Sequence, residues 1–138
     1  MKKTILILLS LMLNFSCGDD IQRELVYDPE KMMIRIAEIE VYPKYLDEYM
    51  AILKEESRAS LELEHGVISI YPMSQKEHPS QIKILEIYTD KEAYDAHLQT
   101  PHFKKYKSST QKMVKSLKLI DMNVIDGHTM PMIFRKID

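Results

Sequence analysis

Residues 84–106 read ILEIYTDKEAYDAHLQTPHFKKY, and the pattern of this stretch predicts a strand followed by two short helices. Apolar and polar residues alternate well enough over Ile82–Tyr88 to predict the strand, with Glu86 in its interior. A carboxylate there is costly to bury unless it faces water or a polar partner. Glu86 is therefore a candidate functional residue, and a structural hydrogen bond to a helix is the plainer alternative.

The two predicted helices run in different directions. His97 shares the apolar face of the first helix with Tyr94, at the spacing of neighbouring helical turns. Thr100–Pro101 is typical of an N-cap followed by the first residue of a new helix. This break places His102 and Phe103 in the first turn of the second helix, so the two histidines are expected to point differently.

The order of these residues resembles the antibiotic biosynthesis monooxygenase superfamily, whose members are small dimeric α+β barrel proteins that include quinol monooxygenases. The resemblance is carried by Glu86, Tyr88, Asp90, Tyr94, His97, Thr100, His102 and Phe103. The segment Gly66–Tyr71 is also similar to the family's second strand. The likeness covers Met32 to about Val124, and both ends of the chain lie outside it.

The resemblance implies cofactor-independent oxidation of an electron-rich aromatic molecule. Deprotonation of a quinol-like or polyphenolic substrate gives a stabilised anion that can pass an electron to dioxygen in an apolar pocket. In this interpretation His97 is the base, Glu86 orients it and His102 is a polar contact. The candidate substrate-binding residues are Tyr71, Tyr94, Phe103 and Arg35. Ordinary packing in a sheet and core is the alternative for the aromatic residues.

Two other functions fit the same resemblance. Relatives with similar folds isomerise small phosphorylated diketones, a reaction that also needs only proton transfer, but this sequence has no cluster of arginines for such an anion. The other alternative is a non-catalytic module that binds a small molecule. If Glu86 and His97 share one enclosed apolar cavity, the enzymatic interpretations are favoured.

Several classes of function find no support in the sequence. It contains no phosphate loop, no dinucleotide fingerprint and no nucleophile elbow, and its Gly count is 3. No histidine or cysteine pattern typical of a metal site is present. The formal net charge of −2 gives no reason to expect a nucleic-acid partner. We therefore expect neither a cofactor nor a metal.

The amino terminus predicts export. Two lysines, Lys2 and Lys3, precede an apolar run from Ile5 to Leu13, which is too short to span a bilayer permanently. Cys17 follows Ser16 as in a bacterial lipoprotein signal, although a lone cysteine can also be a buried core thiol. We expect a signal peptide over residues 1–17, lipidation of Cys17, a tether over 18–31, and anchoring on the periplasmic or cell-surface side of a membrane.

The remaining chain predicts one α+β domain over residues 32–125. Strands are expected at Met32–Val41, Val67–Met73, Ile82–Tyr88 and Leu119–Ile125, with a long helix opening at Pro43 and a helix from Phe103 to Leu117. One stripe of the long helix is expected to pack on the sheet, and it consists of Leu46, Tyr49, Met50, Leu53, Ser57 and Leu61. The order βαββαβ is the ferredoxin-like plait.

Association with a second copy follows from this plait. Both helices cover one face of the sheet, so an apolar opposite face needs a partner, and a homodimeric barrel is the economical answer. Residues 126–138 are too apolar for a solvated tail and are expected to form an extra strand or to dock on the partner.

Overall fold

The computed structural model describes residues 28–137, which form a four-stranded antiparallel sheet with helices packed on one face. The elements are β1 (Met33–Val41), a 3-10 turn (Pro43–Tyr45), α1 (Leu46–Leu63), β2 (Val67–Ser74), β3 (Gln81–Tyr88), α2 (Lys91–His97), α3 (Pro101–Thr110), β4 (Val114–Met122) and α4 (Thr129–Phe134). This order confirms the ferredoxin-like βαββαβ prediction. The predicted signal peptide, Cys17 and most of the tether lie outside the described residues.

The sheet has the strand order β2-β3-β1-β4, which puts β1 and β3 in its centre. Side chains alternate between the two faces along each strand. The face that carries Arg35, Ala37 and Ile39 packs under the helices, and we call it the helix face. The face that carries Ile34 and Ile36 has no helix over it among the described elements, and we call it the open face.

Helix α1 covers the helix face with a stripe that differs from the predicted one. Its buried residues are Tyr49, Leu53, Glu56, Ser57 and Ser60, whereas Met50 and Leu61 are 43% and 49% exposed. The prediction that Met50 and Leu61 belong to the packed stripe was therefore wrong. The stripe carries polar residues into the interior, and the hydroxyls of Ser57 and Ser60 donate to main-chain carbonyls one turn earlier.

The predicted break between α2 and α3 is confirmed, because each helix has its own side-chain cap. Asp90 accepts a hydrogen bond from the main-chain N–H of Ala93 at 2.8 Å, and Thr100 accepts one from Phe103 at 3.3 Å. The loop before β2 packs tightly against α2, since a Cβ at Gly66 would collide with Ala93. These contacts hold the ends of α1, α2 and α3 together at one edge of the sheet.

The predicted boundary between the last helix and last strand was wrong. Helix α3 ends at Thr110, and β4 begins at Val114 rather than at Leu119. Met113, Val114 and Leu117 have helical spacing from Thr110, but Leu117 and Leu119 also lie on one side of a strand, and pairing with β1 decides between the two. Residues Thr129–Phe134 form a short helix rather than an extra strand. Within residues 28–137 no helix combines the length and apolar character needed to cross a membrane.

Candidate active site

A cavity of about 430 Å³ lies between the helix face and helices α1, α2 and α3. Its floor comes from β1, β3 and β4, and its walls and roof come from the three helices. The lining is mainly apolar, with a few charged or polar groups that include Arg35, Glu56, Glu86 and His97. An apolar cavity with a few convergent polar groups is the usual form of a small-molecule site.

His97 stands at the carboxyl end of α2 and is only 3% exposed. Its Nδ1 lies 2.9 Å from Oε1 of Glu64, and its Nε2 lies 3.7 Å from Oε1 of Glu56. The ring packs against Phe103 with centroids 4.7 Å apart. Because Nδ1 faces a carboxylate it is the donor, so the lone pair of a neutral His97 is on Nε2, on the side of Glu56, which lines the cavity.

Glu64, immediately after α1, is held between two histidines. It accepts a hydrogen bond from His97 and another from Nε2 of His102 at 2.5 Å. Burial alone would raise the pKa of Glu64, but the hydrogen bonds from His102 and His97 outweigh it and hold that pKa below its usual range. Glu64 is therefore ionised at neutral pH and fixes the orientation of His97.

Glu56 is a second carboxyl group beside His97, and it lines the cavity directly. It is 5% exposed and accepts a hydrogen bond from the hydroxyl of Ser60 at 2.8 Å. Burial raises the pKa of Glu56, although the hydrogen bond from Ser60 and the charge of His97 oppose the rise. A carboxyl group with a raised pKa next to an imidazole is suited to exchange a proton with it.

The hydrogen bond expected between Glu86 and His97 is not formed. Oε2 of Glu86 instead accepts from the hydroxyl of Tyr88 at 3.1 Å, and Glu64 occupies Nδ1 of His97. Burial raises the pKa of Glu86, against the opposing hydrogen bond from Tyr88 and the charges of His97 and Arg35. Glu86 still shares the cavity with His97, so both groups can reach one ligand.

Arg35 lies between two acidic residues on the floor of the cavity. It is the register partner of Glu86 on β3 and of Asp121 on β4. Its Nε and Nη2 donate to Oδ1 of Asp121 at 2.8 and 2.7 Å, and its guanidinium carbon lies 4.7 Å from the centroid of the Tyr94 ring. These contacts hold Arg35 flat against an aromatic wall.

The structure brings five of the predicted site residues to the cavity: Arg35, Glu86, Tyr94, His97 and Phe103. His102 lies behind His97 and reaches it through Glu64, outside the cavity lining. Tyr71 is on the open face and 62% exposed.

Glu56 and Glu64 were not predicted as site residues from the sequence. The sequence pattern that could have identified them is a series with steps of three or four residues, which places its members on one side of a helix. The series is Leu53, Glu56, Ser60 and Glu64. Polar residues in such a series mark the face that meets the cavity.

Glu64, His97 and His102 also form a group of potential metal ligands, with donor atoms within 4.8 Å of one another. Donor atoms around a tetrahedral zinc lie at about 2.0–2.2 Å from the ion and therefore roughly 3.3 Å apart. The separations of 2.9 and 2.5 Å are hydrogen-bond lengths. The group is therefore arranged to share protons, and its side chains would have to move apart to hold a cation.

The family model for antibiotic biosynthesis monooxygenases matches residues 32–109. A solved structure from Bacteroides thetaiotaomicron, assigned as an antibiotic biosynthesis monooxygenase, is 46% identical, with a TM-score of 0.71, and the match covers 72% of this chain and 94% of that one. No curated protein matches the chain.

More distant structures share the fold. A Lactobacillus acidophilus structure assigned as a monooxygenase is 28% identical with a TM-score of 0.65, and the match covers 66% of this chain but only 43% of that longer one. A Caulobacter crescentus structure assigned to the same family as the Bacteroides protein is 18% identical with a TM-score of 0.66 and coverage of 70% and 92%. At that identity the likeness concerns the fold alone.

Proposed function

Because the chain belongs to the antibiotic biosynthesis monooxygenase family, we propose that it is a cofactor-independent monooxygenase that oxidises a quinol-like or polyphenolic molecule with dioxygen. One observation carries the proposal. Buried His97 lines a mainly apolar cavity, with its Nε2 on the side of Glu56, which belongs to the same lining, and its Nδ1 bound to the carboxylate of Glu64. This arrangement supplies a base where an aromatic hydroxyl can lie.

The first step is transfer of the hydroxyl proton from the substrate to Nε2 of His97. The imidazolium that forms is paired through its Nδ1–H with the Glu64 carboxylate, and this ion pair favours the proton transfer. Glu64 therefore acts as the positioning residue, in the role that the sequence analysis gave to Glu86. His102 binds the same carboxylate and keeps it in place.

The second step is oxygenation of the resulting anion. One electron passes to dioxygen, the radical pair combines, and a carbon–oxygen bond forms at a ring carbon that bears hydrogen. His97 returns its proton to the peroxide. Loss of the ring hydrogen as a proton and cleavage of the oxygen–oxygen bond then give a new carbonyl and one water, so one oxygen atom of dioxygen enters the product. An apolar cavity keeps water from the anion.

The walls of the cavity are suited to a planar ring. Phe103 and Tyr94 give aromatic surfaces, and Tyr88 lies 5.5 Å from His97 between ring centroids. Arg35 and Glu86 lie side by side on the floor, where they can bind a second oxygen of the substrate. Glu86, with its raised pKa, can donate a hydrogen bond as a carboxylic acid.

We also propose that two copies pack through their open faces. The open face has an apolar centre where Leu85, Ile36 and Ile120 lie side by side across three strands. Tyr71 and Met73 on this face are 62% and 42% exposed, and Met122 is 46% exposed. A contiguous apolar face of this kind marks an interaction surface. Lipidation at Cys17 remains a proposal from the sequence alone.

The test is oxygen uptake by the purified full chain with a panel of reduced naphthoquinols and catechols. We expect uptake above the autoxidation rate, and a loss of about 100-fold or more in His97→Ala. The control is His65→Ala, an exposed histidine next to Glu64 in the sequence. No uptake with any substrate from a folded protein would reject the oxygenase proposal and favour the binding module or the isomerase.

A further inference from the structure

The cavity floor is divided into a charged end and an apolar end by the register of the sheet. At one end Arg35 is flanked by Glu86 and Asp121 on the neighbouring strands. Two residues further along the strands, the row is Leu119, Ala37 and Ile84, and the next row contains Leu117 and Ile39. The charged row lies beside Tyr94 and thus at the end of the cavity where α2 places His97.

The length of the apolar end follows from strand geometry. Residues on one face repeat about every 6.7 Å, so the row of Ile39 lies about 13 Å from the charged row of Arg35. A hydroxylated ring at the charged end leaves the rows of Ala37 and Ile39 uncovered. The ligand that fills both ends therefore has a polar ring and an apolar part.

The cavity opens over its apolar end. Leu117 and Leu119 line the cavity, yet they are 58% and 48% exposed, whereas Ala37 and Ile39 beneath the helices are almost fully buried. No charged side chain belongs to the apolar floor rows of β1, β3 and β4, and the charged residues that line the cavity opposite the floor, Glu56 and Lys107, come from the helices. A flexible apolar chain can pass over these two leucines and leave the site.

From this division we infer that the substrate is an aromatic alcohol with an aliphatic substituent, whose ring lies beside His97 and Arg35 and whose chain runs along β4 over Leu119 and Leu117. The position of the ring rests on the proposed function, and the position of the aliphatic chain rests on the apolar rows of the cavity floor.

The experiment measures binding rather than turnover. Dissociation constants of 2-naphthol and its 6-methyl, 6-ethyl, 6-butyl and 6-hexyl derivatives are determined calorimetrically without oxygen. Each added methylene that becomes buried is expected to tighten binding about fourfold, until the chain passes Leu117. In Leu119→Asp the dependence of the dissociation constant on chain length is expected to be lost. The matched control is Leu63→Asp, an equally drastic change at an exposed leucine outside the cavity.

The outcomes separate the two proposals. If 2-naphthol binds but the wild-type constants do not change with chain length, the inference is overturned and the proposed function is untouched. If the substituted compounds bind with the expected dependence but no quinol is oxidised, the oxygenase proposal fails and the ligand class stands. If Leu119→Asp alters the sedimentation coefficient, the two leucines belong to an interface between copies, which also overturns the inference.

Discussion

The two faces of the sheet carry similar apolar rows but differ in where their charges lie. On the helix face, Arg35 is placed between two carboxylates at the charged end of the cavity, and its side chain is 11% exposed. On the open face, Glu38 lies between Lys83 and Lys118, and its 2.7 Å bond to Lys83 faces solvent. A surface pair of this kind contributes little to stability, whereas burial perturbs the groups on the helix face.

Successive side chains of each strand point to opposite faces of the sheet, and this alternation alone separates a surface for a second copy from the floor of the cavity. Ile36 and Ala37 are neighbours in the chain, yet one belongs to a surface suited to a second copy and the other to the floor of the cavity. A shift of register by one residue would exchange the two faces completely. Substitutions on one face should therefore leave the property of the other face unchanged, and the following predictions test that separation.

The largest expected effect is on the open face. Ile36→Lys puts a charge at the centre of the proposed interface, opposite its own copy, and should weaken dimerisation by about 1,000-fold or more. Sedimentation velocity across a concentration series measures this, with Leu63→Lys as the control. Binding of 2-naphthol in the cavity should not change. A wild-type protein that is monomeric, or an Ile36→Lys protein that remains dimeric, would show that the open face does not form the dimer.

A smaller effect, on the rate of the reaction, is expected when Glu64 beside the cavity is replaced. Glu64→Gln keeps the size of the side chain but removes the negative charge that stabilises protonated His97, so kcat/KM should fall by about 10- to 100-fold. The acidic limb of the rate profile should move to lower pH, because the imidazolium is less favoured. Glu62→Gln, an exposed change in the same turn of α1, is the control. An unchanged pH profile would remove Glu64 from its positioning role.

The smallest effect is on the pH dependence of stability. Burial raises the pKa of Glu86, so the folded protein holds that proton more tightly than the unfolded chain. The native state therefore loses stability as pH rises above the ordinary glutamate range and through the raised value. Glu86→Gln should be more stable than wild type at pH 8, by about 1 kcal/mol, and equal at pH 4. Thermal unfolding at both pH values measures this.

Glu38→Gln is the matched control for Glu86 on the open face. The Lys83 hydrogen bond and charge lower the pKa of Glu38, so its loss should not stabilise the protein at pH 8. If both variants are stabilised at pH 8, or neither is, the pKa values of carboxyl groups on the two faces are not shifted in opposite directions.

Local signals in the sequence were sufficient for much of the fold. Each of three patterns involves residues close together in the sequence, and all three appear in the structure: the alternation around Glu86, the Thr100–Pro101 break, and the aromatic residues of α2 and α3. The start of β4 was not predictable in this way. The three-residue spacing of Val114 and Leu117 favours a helix, and only pairing with β1, far away in the sequence and with a register shift between Glu40 and Val41, places both on the cavity side of a strand.

Five residues of the candidate site were predicted from the sequence, but the hydrogen bonds that connect His97 to its partners were not. His97 lies in the cavity as expected, but the carboxylate that binds it comes from Glu64, 33 residues earlier. That contact depends on how the end of α1 meets the ends of α2 and α3, which no local pattern specifies. Glu86, which is one of the residues that carry the family resemblance, accepts a hydrogen bond from Tyr88 instead.

Isotope labelling shows directly whether His97 starts a reaction that places one oxygen atom of dioxygen in an aromatic product. A quinol identified by oxygen uptake is turned over under ¹⁸O₂ in ordinary water, and the product is analysed by rapid-quench mass spectrometry. We predict one labelled oxygen atom per product, consumption of one dioxygen per substrate, and loss of both in His97→Ala. An unlabelled product accompanied by hydrogen peroxide would identify an oxidase and contradict the account.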